Sequence, residues 1–110
     1  MSAPIEIRPY LMANGRNPFG EWIEGLRDAA TKARIITRID RMATGNFGVS
    51  RSVGEGVVEL KIDFGPGFRV YYLPDGLTLI ILLLGGDKDS QNRDIALARK
   101  FAIDYRSRRK

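Results

Sequence analysis

A period of two in the apolar residues, beginning at Val49, constrains this chain more than any other feature. Val58, Leu60, Ile62 and Phe64 fall on one side of an extended run, with Glu59, Lys61 and Asp63 on the other. Gly65-Pro66-Gly67 breaks the run as a tight turn, after which Phe68, Val70 and Tyr72 resume the apolar side. Folding the two runs about that turn sets Asp63 opposite Arg69 and Lys61 near Tyr71. Glu59, Lys61, Asp63, Arg69 and Tyr71 then share one polar face. Pro74-Asp75-Gly76 predicts a second hairpin turn, and the almost wholly apolar run Leu77 to Leu84 predicts a central strand covered on both sides. That strand ends at Gly85-Gly86-Asp87-Lys88, where the chain is expected to leave the sheet.

The flanking segments supply the cover. Ile5 and Ile7 alternate with Glu6 and Arg8 until Pro9 ends the pattern, as in a short edge strand, and Asn14-Gly15 marks a turn. Asn17 is a good N-cap and Pro18 suits the first helical position, with Phe19, Trp22, Ile23 and Leu26 forming an apolar face. A second helix is predicted from about Asp28 to Thr44. Ile35, Ile36, Ile39, Met42 and Ala43 lie on one side of it, and Gly45 stops it. The two are expected to form an antiparallel hairpin on the sheet. Arg34, Arg38 and Arg41 form a basic stripe along the second that could meet RNA phosphates or an acidic protein, though a charge run alone reads first as a solvated face. A last helix is predicted from about Ser90 to Tyr105, burying Ile95, Ala98, Phe101, Ala102 and Tyr105. A frayed basic tail, Arg106 to Lys110, follows it. The expected fold is α+β: one domain over 1–110, two N-terminal helices packed on an antiparallel sheet, and a C-terminal helix.

Composition narrows the chemistry. The 110 residues contain no cysteine and no histidine, which removes disulfides, thiolate metal sites and every Ser–His or Cys–His nucleophile. Asp63, Asp87, Asp89 and Asp94 are scattered among basic residues, so no metal site is expected. The net charge of +5 favours a polyanionic or acidic partner. Met1 to Tyr10 carries charge and no long apolar run, unlike a signal peptide, and Leu77 to Leu84 is too short to span a membrane. A cytoplasmic protein with no membrane association is expected.

Several runs together resemble the RelE/ParE toxin superfamily, in particular its addiction module killer protein branch, which is grouped with HigB-like toxins. They are Gly45-Asn46-Phe47-Gly48, Val53-Gly54-Glu55-Gly56-Val57, Glu59 through Tyr72, Leu84 through Gln91, and Arg93-Asp94-Ile95. The likeness extends from about Ile5 to Tyr105. It implies a RelE-like fold with a curved antiparallel sheet and the toxin role in a type II toxin–antitoxin pair. The implied partners are a helix-turn-helix antitoxin, operator DNA only through that antitoxin, and mRNA on the ribosome. RelE-like members cut mRNA there without a cofactor, whereas ParE-like members share the fold and poison DNA gyrase. A third outcome is an inactive remnant that still binds its antitoxin.

Cleavage of this kind makes a ribose 2′-hydroxyl attack the adjacent phosphate, which needs a base, positive charge on the phosphate and an acid for the leaving oxygen. Arg69 stands where the resemblance places a phosphate-holding arginine; the plain structural alternative is a strand arginine paired with Asp63. Lys61 matches the second of two catalytic lysines, the first being replaced by Glu59. Lys88 lies near a further basic catalytic position. The last helix carries Asp94 near the place where some members have a tyrosine. By the same resemblance Glu59, Asp87 and Asp94 are acid–base candidates, and Gln91 and Arg93 are candidate RNA contacts at a helix start. Tyr71 is a candidate for stacking on a base, with sheet packing as its alternative.

Overall fold

The computed structural model describes residues 4–109, so part of the leader reading and Lys110 of the basic tail lie outside it. Along the chain run β1 (Glu6–Pro9), α1 (Pro18–Glu24), α2 (Ala29–Met42), β2 (Val49–Gly54), β3 (Val57–Ile62), β4 (Phe68–Asp75), β5 (Leu79–Gly86) and α3 (Gln91–Arg108). The strands form one sheet in the order β1-β5-β4-β3-β2. The sheet is mixed, not antiparallel throughout: β1 pairs with β5 in parallel, Ile7 beside Ile80, while the other neighbours are antiparallel. A parallel neighbour requires a crossover. The chain makes it by sending α1 and α2 over one face, from the β1 edge to the β2 edge.

Local chemistry sets the helix starts. The Asn17 side chain accepts from the Gly20 N–H at 2.9 Å ahead of Pro18, and the Asp28 carboxylate accepts from Ala30 N–H at 3.2 Å. On α2, Ile35, Ile39 and Met42 are buried as expected, but Ile36 is 41% exposed because it falls beside the stripe and not within it. Past the end of α2, Gly45 takes a left-handed φ of +91° and its N–H bonds back to Met42.

Two cores result, one on each face. Leu60, Ile62, Phe68, Val70, Tyr72, Ile80 and Leu82 pack with Phe19 and Ile23 of α1 and Ile35, Ile39 and Met42 of α2. Val57, Tyr71, Leu73, Ile81, Leu83 and Leu84 pack with Ala98, Phe101 and Ala102 of α3. The sheet face expected to be polar is therefore covered by α3 over most of its area.

Both hairpins differ in detail from the expectation. Between β3 and β4 the pairs are Lys61 with Arg69 and Glu59 with Tyr71, so the turn is centred one residue earlier and the register differs by two. A shift of two preserves the face of every side chain. Asp63 leaves the strand and begins the loop, so it neither opposes nor pairs with Arg69. In the next hairpin Pro74 and Asp75 still belong to β4, and the turn is Gly76 to Thr78. Leu77 sits at its tip, 94% exposed, outside the strand that was expected to begin with it. The tail is not frayed where it is described: Arg106 reaches Glu55, Arg108 reaches Asp104 and the Leu11 carbonyl, and Arg109 reaches Asp75.

A bulge in β5 has consequences for the site. Tyr72 pairs with Leu82 but Tyr71 pairs with Leu84, so Leu83 is the extra residue and the strand's alternation reverses after it. Gly85 consequently faces Trp22 of α1, and Gly86 faces Asp94 of α3. A Cβ on Gly85 would lie 2.1 Å from the indole, and one on Gly86 would lie 1.9 Å from the Asp94 carboxylate. Only glycine permits either approach.

Candidate functional site

Where α3 begins, its cover of the sheet is incomplete, and a cleft of about 330 Å³ opens. Val49, Ser50 and Arg51 of β2, Glu59 and Lys61 of β3, Arg69 of β4 and Gln91 of α3 line it. Four residues named from the sequence, Glu59, Lys61, Arg69 and Gln91, are thus brought together here.

Arg69 is 8% exposed and has no carboxylate within ion-pairing distance among the described residues. One terminal nitrogen donates to the Gly67 carbonyl, and the buried Nε has no partner. A buried cation without a counter-charge is costly to a fold, and a guanidinium presents its donors as a planar fork suited to phosphate. Lys61 is exposed and directly beside it on β3. Two cations on adjacent strands and the same face give this part of the cleft a positive potential.

Glu59 is 3% exposed and held from two elements: Arg51 Nε donates to one carboxylate oxygen at 2.9 Å and Gln91 Nε2 to the other at 2.9 Å. Burial pushes its pKa up, but the bonds from Gln91 and Arg51 outweigh burial and hold it below the ordinary carboxylate value. Glu59 is therefore ionised at neutral pH.

The other candidates stand apart from the cleft. Lys88 is exposed in the loop after β5, against Gly67, where a Cβ would lie 3.7 Å from its own Cβ. Asp87 organises that loop: its carboxylate accepts from the N–H groups of Asp89 at 2.9 Å and Ser90 at 3.1 Å. Asp94 is buried under Gly86, where burial raises its pKa and the Ser90 hydroxyl donates to it. Arg93 is exposed, 3.8 Å from Asp94, and does not line the cleft.

Tyr71 is fully buried beside Glu59 on the neighbouring strand, so no base can stack on its ring and that expectation is corrected. The strand's odd-numbered positions face α3, which covers the ring. Its hydroxyl makes no well-formed hydrogen bond, and burial, then the charge of Glu59, pushes its pKa far up.

Sequence reasoning missed Arg51. Its position opposite Glu59 depends on a register shift in β2: the turn at Glu55-Gly56 pairs Gly54 with Val57, which alone would set Arg51 opposite Leu60, and the extra residue Val53 moves it to Glu59. The Gly54-Glu55-Gly56 spacing signals the two-residue hairpin, but nothing in the sequence marks the bulge. Among the described residues no group of carboxylates is arranged to hold a metal ion. No helix among them is long and apolar enough to cross a membrane.

No family model matches the chain, and no solved structure does. A protein of Haemophilus influenzae described as uncharacterized is 45% identical over 84 residues, covering 76% of this chain and 85% of that one. At that identity and coverage, the chain belongs to the same family as the Haemophilus influenzae protein.

Proposed function

We propose that this protein is the toxin of a type II toxin–antitoxin pair, with a RelE-like fold, and that it cuts mRNA on the ribosome without a metal. In this reading it acts in the cytoplasm and is restrained by a helix-turn-helix antitoxin. The observation that carries the reading is Arg69, a buried guanidinium with no ion pair among the described residues, facing a cleft beside Lys61 and an ionised carboxylate. The motif resemblance from Glu59 to Tyr72 supports it independently.

The chemistry follows from the residues. Arg69 and Lys61 hold the scissile phosphate and stabilise the charge that grows on its oxygens. Glu59, oriented by Arg51 and Gln91, takes the proton of the 2′-hydroxyl. The 2′-oxygen attacks phosphorus, the bond to the 5′-oxygen breaks, and a 2′,3′-cyclic phosphate remains. The leaving 5′-oxygen takes a proton from the ammonium of Lys61, which lines the cleft. A carboxylate base thereby replaces the first lysine of the RelE pair.

The test is induced expression of the chain without its antitoxin, with mapping of mRNA 5′ ends, beside Arg69→Ala. New ends within translated regions that disappear in the variant are expected. Growth arrest with intact mRNA and a DNA-damage response would sink the nuclease reading in favour of gyrase. Harmless expression would leave an antitoxin-binding remnant.

A further inference from the structure

A second groove lies on the opposite face from the cleft, lined by Ala33, Arg34, Thr37, Arg38 and Arg41 of α2 and by Asp63 and Phe64 of the β3–β4 loop. We propose that it is a track for single-stranded RNA, carrying the nucleotides that flank the segment in the cleft. This rests on the nuclease reading and extends it to the substrate outside the scissile step.

Three observations carry the proposal. First, none of Arg34, Arg38 and Arg41 forms an ion pair with a described residue, although Asp63 lines the same groove. The surface arginines at 8, 16, 51, 106, 108 and 109 have carboxylate partners; exposed Arg27 and Arg99 also have none among the described residues, but only α2 gathers three such arginines on one face. Arginines left unpaired on one helix face are free for phosphates.

Second, the Arg34 guanidinium lies over the Phe64 ring, 4.9 Å from its centre. Stacking orders the plane of the guanidinium and leaves its in-plane donors available, and the pair is of the kind used by sequence-tolerant single-strand binders.

Third, the groove and the cleft approach each other around the β2 edge. The Arg38 guanidinium lies beside Gly48, 3.0 Å from where a Cβ would stand, and the next residue, Val49, lines the cleft opposite Lys61. Gly48 has a φ of +57° and leaves space for Arg38 at the edge of the sheet. A strand leaving Lys61 would cross Val49 at the β2 edge and meet Arg38 directly. From Arg34 to Arg41 the helix rises about 10 Å.

The test uses the full chain and uncleavable 2′-O-methyl RNA of about 4 and about 12 nucleotides, with binding read by fluorescence anisotropy across a salt series. The variant is Arg34→Gln with Arg38→Gln and Arg41→Gln, its folding checked by its melting curve. The 12-mer should bind the variant on the order of tenfold more weakly, with a salt slope smaller by about 2, while the 4-mer is unchanged. Equal weakening of both lengths, or of neither, would overturn the track. So would displacement of neither RNA together with arginine-dependent binding of polyglutamate, which would mark a docking face for an acidic protein. Cleavage of ribosome-bound mRNA by the wild-type chain is measured separately: its absence would count against the nuclease reading, whereas the length dependence reports on the groove alone.

Discussion

The two faces of the sheet share the same strands and are filled in different ways. Beneath α1 and α2, every inward position from β3, β4 and β5 is apolar or, at Tyr72, aromatic with its hydroxyl directed to Ser50. Beneath α3, the same strands bury aliphatic residues toward the Pro74 end but Glu59, Arg69 and Tyr71 toward the other, where α3 adds the buried Asp94. Burying charges without full compensation lowers stability, so a fold that needed only a core would not place them there. The first face holds the molecule together, and the second gives up stability at one end for a charged cleft.

That division can be broken from either side. Leu60→Ala, on the α1–α2 face at 1% exposure, should lower unfolding free energy by about 2–5 kcal/mol. Chemical denaturation measures this, and cleavage per folded molecule should persist. Gly86→Ala puts a Cβ against the Asp94 carboxylate. The shift of β5 or α3 needed to accept it should cost about 1–3 kcal/mol and, by moving Gln91 at the start of α3, reduce cleavage as well.

Glu59→Gln sharpens the comparison through pH. The folded-state pKa of Glu59 is depressed, so its contribution is present above the ordinary carboxylate value and lost as pH falls through the folded one. The variant should therefore be less stable than wild type at neutral pH, by about 1–2 kcal/mol, with the gap closing below roughly pH 4. Denaturation curves at several pH values decide it; a gap that widens in acid would contradict the assignment. The smallest effect is expected from Tyr71→Phe. Its hydroxyl is buried without a well-formed hydrogen bond, so removal should change stability by less than about 1 kcal/mol, in the stabilising direction. A clear loss would mean that Tyr71 holds Glu59 in place.

How much of this was readable from residues alone depends on parity. Period two assigned Glu59, Lys61, Arg69 and Tyr71 to one face correctly even though the predicted register was off by two, because an even slip leaves sides unchanged. Asp63 was lost from that face because strand pairing stops at Ile62, and no local pattern marks where a five-residue connection begins. The parallel pairing of β1 depends on a long crossover and leaves no mark in four residues. The reversal at Leu83 was hidden inside an unbroken apolar run, where alternation has nothing to show. Asp94 was named as an acid–base candidate from the resemblance, and nothing local marked it as buried. Its burial follows from Gly86, whose missing side chain makes the room.

The central claim is that Arg69 serves the cleft and not the fold. The most direct measurement takes one preparation of Arg69→Ala and determines its denaturation midpoint and its cleavage of mRNA on programmed ribosomes. Because the guanidinium has no carboxylate partner to strand among the described residues, stability should not fall by more than about 1 kcal/mol. Cleavage should fall by about a hundredfold or more. Retained cleavage, or a loss of stability large enough to account for the loss of cleavage, would contradict the account.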